Sequence, residues 1–307
     1  MMYLLLLSRV LTYNHNQTIG ATYADFNNQQ ITDVSDLLRM FDLVGGMQEM
    51  SSFGNVRTLR KYFGAEPQDE QIGELLDALE ALNEAITLCR TSKVSGCLER
   101  FIHAVNEVKS CDNPLVRQLT PAFDSIFRER KFKIRSLIRW CLERDMYQQA
   151  VTLYIECIPT EIFKNIVQKK QENHLFNPKY DDKTRFSDAD EFFCYLLNAS
   201  RYTSASKESG DQYAMQVYTI ENLETCFPSA PFELKSKYTI HKLQNIARDY
   251  LYIKLLRNMI NHAQTTGTES TEQAVEYLKR YGYREPDAVD LKTLRTVMEN
   301  ALNNLKL

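Results

Sequence analysis

The rest of the chain is organised around KLQNIARDYLYIKLLRNMINH, from Lys242 to His262. Its apolar residues recur at steps of three and four, or at multiples of them, which predicts a helix with one buried stripe. The stripe consists of Leu243, Ile246, Tyr250, Ile253 and Ile260. Arg257 falls on the same stripe, and a guanidinium at the edge of a core is costly unless an anionic group meets it. We therefore expect a buried helix that carries a partnered arginine near its C-terminal end.

Three polar residues lie near the end of this helix: Arg257, Asn258 and His262. Residues 265–267, Thr-Thr-Gly, are expected to end the helix, so His262 lies in the last turn, where the helix dipole favours a protonated imidazole. Asn258 shares a face with His262, whereas Arg257 lies about 140° from it around the helix. One straight helix does not easily aim both side chains at a small target. Two copies across a two-fold axis, or a distorted last turn, would do so.

These side chains suit the cleavage of RNA, which carries its own nucleophile in the 2′-hydroxyl. Cleavage requires that hydroxyl to be deprotonated or positioned, the phosphorane charge to be offset and the 5′-oxygen to be protonated. His262 suits the proton transfers, Arg257 suits the phosphate, and Asn258 can orient either group. No metal is required for this chemistry. The alternative is structural: the imidazole caps helix carbonyls and the guanidinium bonds a carboxylate.

The pattern RNxxxH from Arg257 to His262 resembles the catalytic motif of HEPN ribonucleases, written R-x(4-6)-H. Two further segments support the resemblance, in the right order. Ala122 to Glu156, which contains FRERKFKIRSLIRWCLERDMYQQAVTLYIE, resembles a helical hairpin of the CRISPR-associated Csx and Csm ribonucleases. Ile19 to Asn55 is similar to the junction where the CARF domain of that family, which senses a ring nucleotide, leaves its last strand.

The resemblance implies a metal-independent endoribonuclease that cuts single-stranded RNA and leaves 2′,3′-cyclic phosphate ends. It assigns the catalytic roles to Arg257, Asn258 and His262, in a composite site across a homodimer, with no cofactor. It also implies a place in type III CRISPR antiviral defence, where cyclic oligoadenylate is the allosteric activator of relatives. The aspartate-x-threonine-histidine-glycine signature of the CARF ligand site does not occur in the sequence, so the resemblance does not extend to ligand sensing.

The expected fold class is mainly α, with a short β-hairpin at the start. Residues 1–32 are interpreted as the remnant of a Rossmann-like α/β CARF domain, with strands at Tyr3–Tyr13 and Thr18–Phe26. Residues 33–113 are expected to form a helical spacer, and 114–307 the HEPN ribonuclease domain. Besides the central helix, the periodicity predicts one helix that begins at Asp33 and seven others. The seven are Asn55–Phe63, Glu70–Cys89, Val94–Val108, Pro121–Leu142, Met146–Ile158, Glu272–Tyr281 and Val289–Leu305.

Composition narrows the functional classes. The 307-residue chain carries 37 lysines and arginines against 40 aspartates and glutamates, a net charge of −3, so no global basic signal favours duplex DNA. Seven cysteines without a CxxC pair indicate reduced thiols, no zinc site and a cytoplasmic location. No stretch approaches a membrane span. The P-loop, GxGxxG, HExxH and GxSxG patterns are absent.

Some features allow more than one interpretation. The helix predicted at Pro121–Leu142 has a basic side that is either a solvated face or a rim that contacts RNA. Its members are Arg128, Arg130, Lys131, Lys133, Arg135 and Arg139. Trp140 is expected in the core, and the acidic pair Asp181–Asp182 is expected to be surface charge. Two other functions stay open: a non-catalytic helical dimer acting as a binding or regulatory module, and a HEPN protein that binds nucleotides without cleaving RNA.

Overall fold

The fold is that of a computed structural model. The described residues are 22–25, 29–33, 35–64, 69–110, 133–169, 217, 220–229, 232–262 and 269–305. The chain divides into two compact units, 1–124 and 125–307. This division falls within 111–132, outside the described residues, as does the predicted domain boundary at 113/114. The assignment of a spacer and an effector domain therefore stays a prediction.

The first unit contains an antiparallel hairpin that differs from the predicted one. Strand β1, Thr22–Asp25, pairs with β2, Gln30–Asp33, and Thr22 lies opposite Asp33. The predicted strand at Thr18–Phe26 is thus confirmed over β1, while Tyr3–Tyr13 lies outside the described residues. The expected helix start at Asp33 is wrong, because residues 30–33 pair with β1. Gln29, with φ of 51°, adopts the left-handed conformation in the reversal that brings the two strands together.

Four helices follow among the described residues of the first unit: α1 at Ser35–Phe53, α2 at Arg57–Phe63, α3 at Glu70–Thr87 and α4 at Thr91–Lys109. Gly64 ends α2 with φ of 91°, a conformation that glycine adopts without strain. The Asp69 carboxylate caps α3 by accepting from the backbone N–H of Gln71 at 2.9 Å. The apolar stripes of α3 and α4 are buried against each other. These helices confirm the periodicity of the sequence.

The second unit is built around α8, Ile240–His262, which is the predicted central helix. The helices and strands described before it include α5 at Lys133–Glu143, α6 at Tyr147–Ile166, β3 at Val167–Lys169, α7 at Leu223–Cys226 and β4 at Phe232–Leu234. The elements after it are α9 at Glu269–Lys279 and α10 at Leu291–Asn304. Strands β3 and β4 pair antiparallel, with Val167 opposite Leu234, and were not predicted. Helices α6, α9 and α10 pack against α8.

Helix α5 is buried on most sides, which corrects the prediction of a basic outer face. Trp140 is 1% exposed, as expected for a core residue, but Arg135 is only 6% exposed. Arg135 is therefore neither part of a solvated face nor of an RNA-contacting rim. Arg139 donates to the Asn303 amide oxygen of α10 at 3.0 Å. Three of the predicted basic residues, Arg128, Arg130 and Lys131, lie outside the described residues.

Helix α6 continues through a proline, which corrects the predicted end before Pro159. The helix extends to Ile166. A proline inside a helix has no N–H, so it leaves the carbonyl four residues earlier without its helical hydrogen bond. Here that carbonyl belongs to Ile155, and the Tyr250 hydroxyl of α8 donates to it at 3.1 Å. A side chain from the neighbouring helix thus replaces the lost backbone bond, and the helix tolerates the proline.

The middle of α8 is buried all round rather than along one stripe. The predicted core residues Leu243, Ile246, Tyr250 and Ile253 are each at most 7% exposed. Between them, Asp249 accepts hydrogen bonds from the Tyr283 hydroxyl at 2.7 Å and from the Asn304 amide at 2.6 Å. Burial raises the pKa of Asp249, which these two bonds partly offset. This network ties α8 to α10 and to the segment before it.

Helices account for 79% of the described residues, which confirms the mainly α class. No helix in the described ranges combines the length and the apolar character needed to cross a bilayer. The fold therefore presents α8 as a buried central helix in the second unit, and its C-terminal end is the place to look for chemistry.

Candidate functional site

The C-terminal turns of α8 leave the core and reach the surface. Ile253 is fully buried, whereas Ile260, two turns later, is 45% exposed. The prediction that Ile260 continues the buried stripe is therefore wrong, because the helix has passed the edge of its packing partners. Arg257, between them, has a side chain that is 24% exposed. The predicted site residues thus lie where the helix emerges, in reach of a ligand.

The Arg257 guanidinium has two described hydrogen-bond partners. Its Nη2 donates to Glu156 Oε1 on α6 at 2.5 Å, and its Nη1 donates to the Asn258 side-chain oxygen at 3.3 Å. The expectation that an anionic group meets Arg257 is confirmed by the first contact. The Arg257 Nε is buried and has no acceptor among the described residues. The guanidinium is therefore anchored at both amino ends, with its plane fixed between α6 and the next residue of α8.

Glu156, which accepts the hydrogen bond from Arg257, lies next to a second hydrogen bond between α6 and α8. Glu156 directly follows Ile155, whose carbonyl accepts from Tyr250. Ile155 and Tyr250 are each 7% exposed, whereas the Glu156 carboxylate side chain is 41% exposed. Burial raises the pKa of Tyr250 well above its usual range, and the Glu156 charge adds to this shift. The tyrosine is thus a neutral donor, and the turn that carries Glu156 is fixed to α8.

Lys254 adds a cation one turn before Asn258. Four positions separate Lys254 from Asn258, and four more separate Asn258 from His262, which places the three on one side of the helix. Burial and, to a smaller extent, the positive charge of Arg257 together lower the pKa of Lys254 to about 8. A lysine with such a pKa is still mainly protonated at pH 7 and can stabilise a phosphate, but it gives up its proton more readily than a solvated lysine.

Of the three predicted site residues, the structure brings Arg257 and Asn258 into contact. His262 is the last residue of α8, and its side chain lies outside the described residues, so the angle between the imidazole and Arg257 stays a prediction. The sequence places His262 four residues after Asn258, on one helix face with it. Arg257 and Asn258 together can hold a phosphate oxygen, and an imidazole at the same helix end can move a proton.

Sequence reasoning missed two residues of this site. Glu156 reads as surface charge near the end of a helix, and nothing local distinguishes it from other exposed glutamates. The indication in the sequence was Arg257, because a guanidinium on a buried stripe requires an anionic partner. Its position does not identify which residue that partner is. Lys254 was missed because a lysine between two buried apolar residues of a helix is usually interpreted as reaching solvent with its amine.

Other candidates in the second unit are chemically less suited. Burial raises the pKa of the Cys157 thiol to about 12, with a smaller contribution from Glu156, so the thiolate is scarce at neutral pH. Within the described ranges, no group of three or more histidine, cysteine, aspartate or glutamate side chains is placed to hold a metal ion. The acidic pair Asp181–Asp182 lies outside those ranges.

No protein-family model, curated protein or solved structure significantly matches the chain. The arrangement at the end of α8 therefore has to be interpreted from its own chemistry: an anchored guanidinium, an adjacent amide, a lysine of lowered pKa, and a histidine at the last helical position.

Proposed function

We propose that this protein is a metal-independent endoribonuclease that cuts single-stranded RNA at the C-terminal end of α8. The observation that carries the proposal is the emergence of that helix from the core at Arg257 and Asn258, one turn before His262. Arg257 binds the scissile phosphate and offsets the charge of the phosphorane. The neutral His262 imidazole of one copy accepts the proton of the 2′-hydroxyl as its oxygen attacks the phosphorus. The protonated His262 of a second copy donates a proton to the leaving 5′-oxygen as the P–O5′ bond breaks, which leaves a 2′,3′-cyclic phosphate.

In this proposal the working enzyme is a homodimer of the HEPN type, with the ends of two α8 helices facing one RNA strand. The spacing supports this view, since Arg257 and His262 lie about 140° apart around one helix. The exposed Ile260 offers apolar surface beside the site for such a contact. The biological role we propose is RNA cleavage in type III CRISPR antiviral defence, where cyclic oligoadenylate activates the enzymes that the motif resembles.

The experiment uses the full-length protein, a fluorescent unstructured RNA and excess chelator, with and without added cyclic oligoadenylates. Arg257→Ala and His262→Ala are each expected to lower the cleavage rate by about 100-fold or more, since a positioned acid, base or charge contributes that much. Arg295→Ala and His241→Ala are the matched controls, because they remove an exposed arginine and an exposed histidine elsewhere in the unit. Cleavage at the wild-type rate in both site variants would exclude the proposal.

A second candidate function is a non-catalytic helical dimer that acts as a binding or regulatory module. The contact between Arg257 and Glu156 favours it, because an arginine that already bonds a carboxylate can serve packing alone. On that function, the wild-type protein leaves RNA intact under every condition above. Arg257→Ala would then change the dimerisation constant rather than a rate.

A further inference from the structure

Glu156 contacts the proposed RNA-cleaving machinery from a different helix. Its carboxylate accepts from Arg257 Nη2 at 2.5 Å across 101 positions of the sequence. With 41% of its side chain exposed, Glu156 lies at the same surface that an RNA strand would approach. A carboxylate there repels phosphate, so its presence beside a phosphate-binding arginine requires a reason.

A hydrogen bond from α8 fixes the backbone next to Glu156. Pro159 frees the Ile155 carbonyl, and the buried Tyr250 hydroxyl of α8 bonds it at 3.1 Å. Tyr250 lies two turns before Arg257 on α8. The carboxylate of Glu156 therefore stands at a defined place relative to the helix that carries the arginine, and it can fix the guanidinium in one orientation.

The two anchors of Arg257 leave part of the guanidinium available. One hydrogen of Nη2 goes to Glu156 and one hydrogen of Nη1 goes to Asn258, so each nitrogen retains a second hydrogen. These remaining donors point in directions that the two anchors set. An arginine whose plane is fixed before binding loses less conformational freedom when it meets a phosphate, and a misaligned one loses rate.

We propose that Glu156 is the positioning residue of Arg257 in RNA cleavage, an inference that rests on the proposed function. Glu156 has two separable effects on the reaction. Its hydrogen bond orients the guanidinium and supports turnover, whereas its negative charge weakens the attraction between Arg257 and the RNA backbone. The first effect belongs to kcat and the second to KM.

The test compares Glu156→Ala with Glu156→Gln in steady-state cleavage of single-stranded RNA. Glu156→Ala is expected to lower kcat by about 10-fold or more, because a misplaced catalytic group costs up to a hundredfold. Glu156→Gln keeps an acceptor oxygen without the charge, so kcat returns to within about threefold of wild type, given that a neutral acceptor bonds about half as strongly. In Glu156→Gln the KM falls below that of wild type, because the repulsion is gone.

Two further variants make the outcome specific. Glu161→Ala removes another acidic residue of α6, one whose carboxylate accepts a hydrogen bond from the Asn165 side-chain amide, and is expected to keep wild-type kcat and KM. Tyr250→Phe releases the Ile155 carbonyl and is expected to lower kcat in the direction of Glu156→Ala, with helicity retained in circular dichroism. This variant tests the positioning even if Glu156→Ala folds poorly.

The positioning role is overturned if Glu156→Ala turns over RNA at the wild-type kcat, or if Glu156→Gln is as slow as Glu156→Ala. Either result leaves the proposed function standing as long as Arg257→Ala and His262→Ala stay inactive. Wild-type cleavage by those two variants overturns the function itself, and the positioning role with it. The four variants therefore separate the failure of one idea from the failure of the other.

Discussion

At the residue scale, Lys254 is the side chain whose ionisation depends most clearly on the fold around the site. It lies on α8 one turn before Asn258, and burial, followed by the charge of Arg257, lowers its pKa to about 8 from 10.5. The folded state thus disfavours the protonated form. The resulting penalty on stability is present in full below pH 8 and disappears as the pH rises from 8 towards 10.5.

Lys254→Met removes that penalty while it keeps an unbranched side chain of similar length. We expect the free energy of unfolding to rise by about 1–2 kcal/mol at pH 7, and the difference from wild type to shrink at pH 10. Urea unfolding at the two pH values measures it. Lys292→Met, an exposed lysine of α10, serves as the control and should change little. If Lys254→Met changes the free energy of unfolding by the same amount at both pH values, the lowered pKa of Lys254 is contradicted.

The partner of Arg257 shows what a single residue's surroundings do and do not reveal. A guanidinium on a buried helical stripe requires an anion, and this requirement was predictable from the sequence. The identity of the anion was not, because Glu156 is 101 positions away and the pairing depends on how α6 packs against α8. The same limit applies to Arg135, whose burial follows from the position of α5 inside the unit rather than from its own helix.

At the element scale, the contact between α1 and α2 depends on a glycine. Gly45 and Gly46 lie inside α1, where glycine costs helix stability, yet the helix continues to Phe53. A Cβ on Gly46 would lie 2.9 Å from both the side chain and the backbone nitrogen of Leu59, which is fully buried on α2. The absence of a side chain at Gly46 is what permits the two helices to approach.

Gly46→Ala should therefore destabilise the first unit by about 1–3 kcal/mol, the usual cost of overpacking. Gly96→Ala on α4 is the matched control, since nothing lies within 4 Å of its added Cβ. That variant should gain about 0.5–1 kcal/mol from helix propensity alone. Denaturant midpoints compare the two, and equal stabilities would mean that Gly46 is not a packing position.

Helix periodicity predicted most elements because it is a local property, and the errors have non-local causes. Pro159 was expected to end α6, and the helix passes through it because Tyr250 of another helix bonds the freed carbonyl. Asp33 was expected to start a helix, and it belongs to a strand because residues 30–33 pair with β1. Neither partner can be recognised from the few residues around the error.

At the scale of the whole molecule, the mainly α class was predictable and the pairing of short strands was not. Strand β3 is three residues long and pairs with β4, about 65 positions later, so neither strand carries a pattern of its own. The candidate site likewise has a part that was predictable from the sequence and a part that was not. The motif on α8 identifies Arg257, Asn258 and His262, whereas Glu156 joins them only when the second unit has folded.

The central claim is that RNA is cut by its own 2′-hydroxyl at the end of α8. The most direct measurement is the mass of the products from a single-stranded RNA, in excess chelator, compared with the same oligonucleotide carrying one 2′-deoxy sugar at the mapped cleavage position. We predict products with 2′,3′-cyclic phosphate ends from the RNA and no cleavage at the 2′-deoxy position. With His262→Ala we predict no cleavage products from either oligonucleotide. Cleavage at the 2′-deoxy position, or an unchanged product pattern with His262→Ala, would contradict the claim.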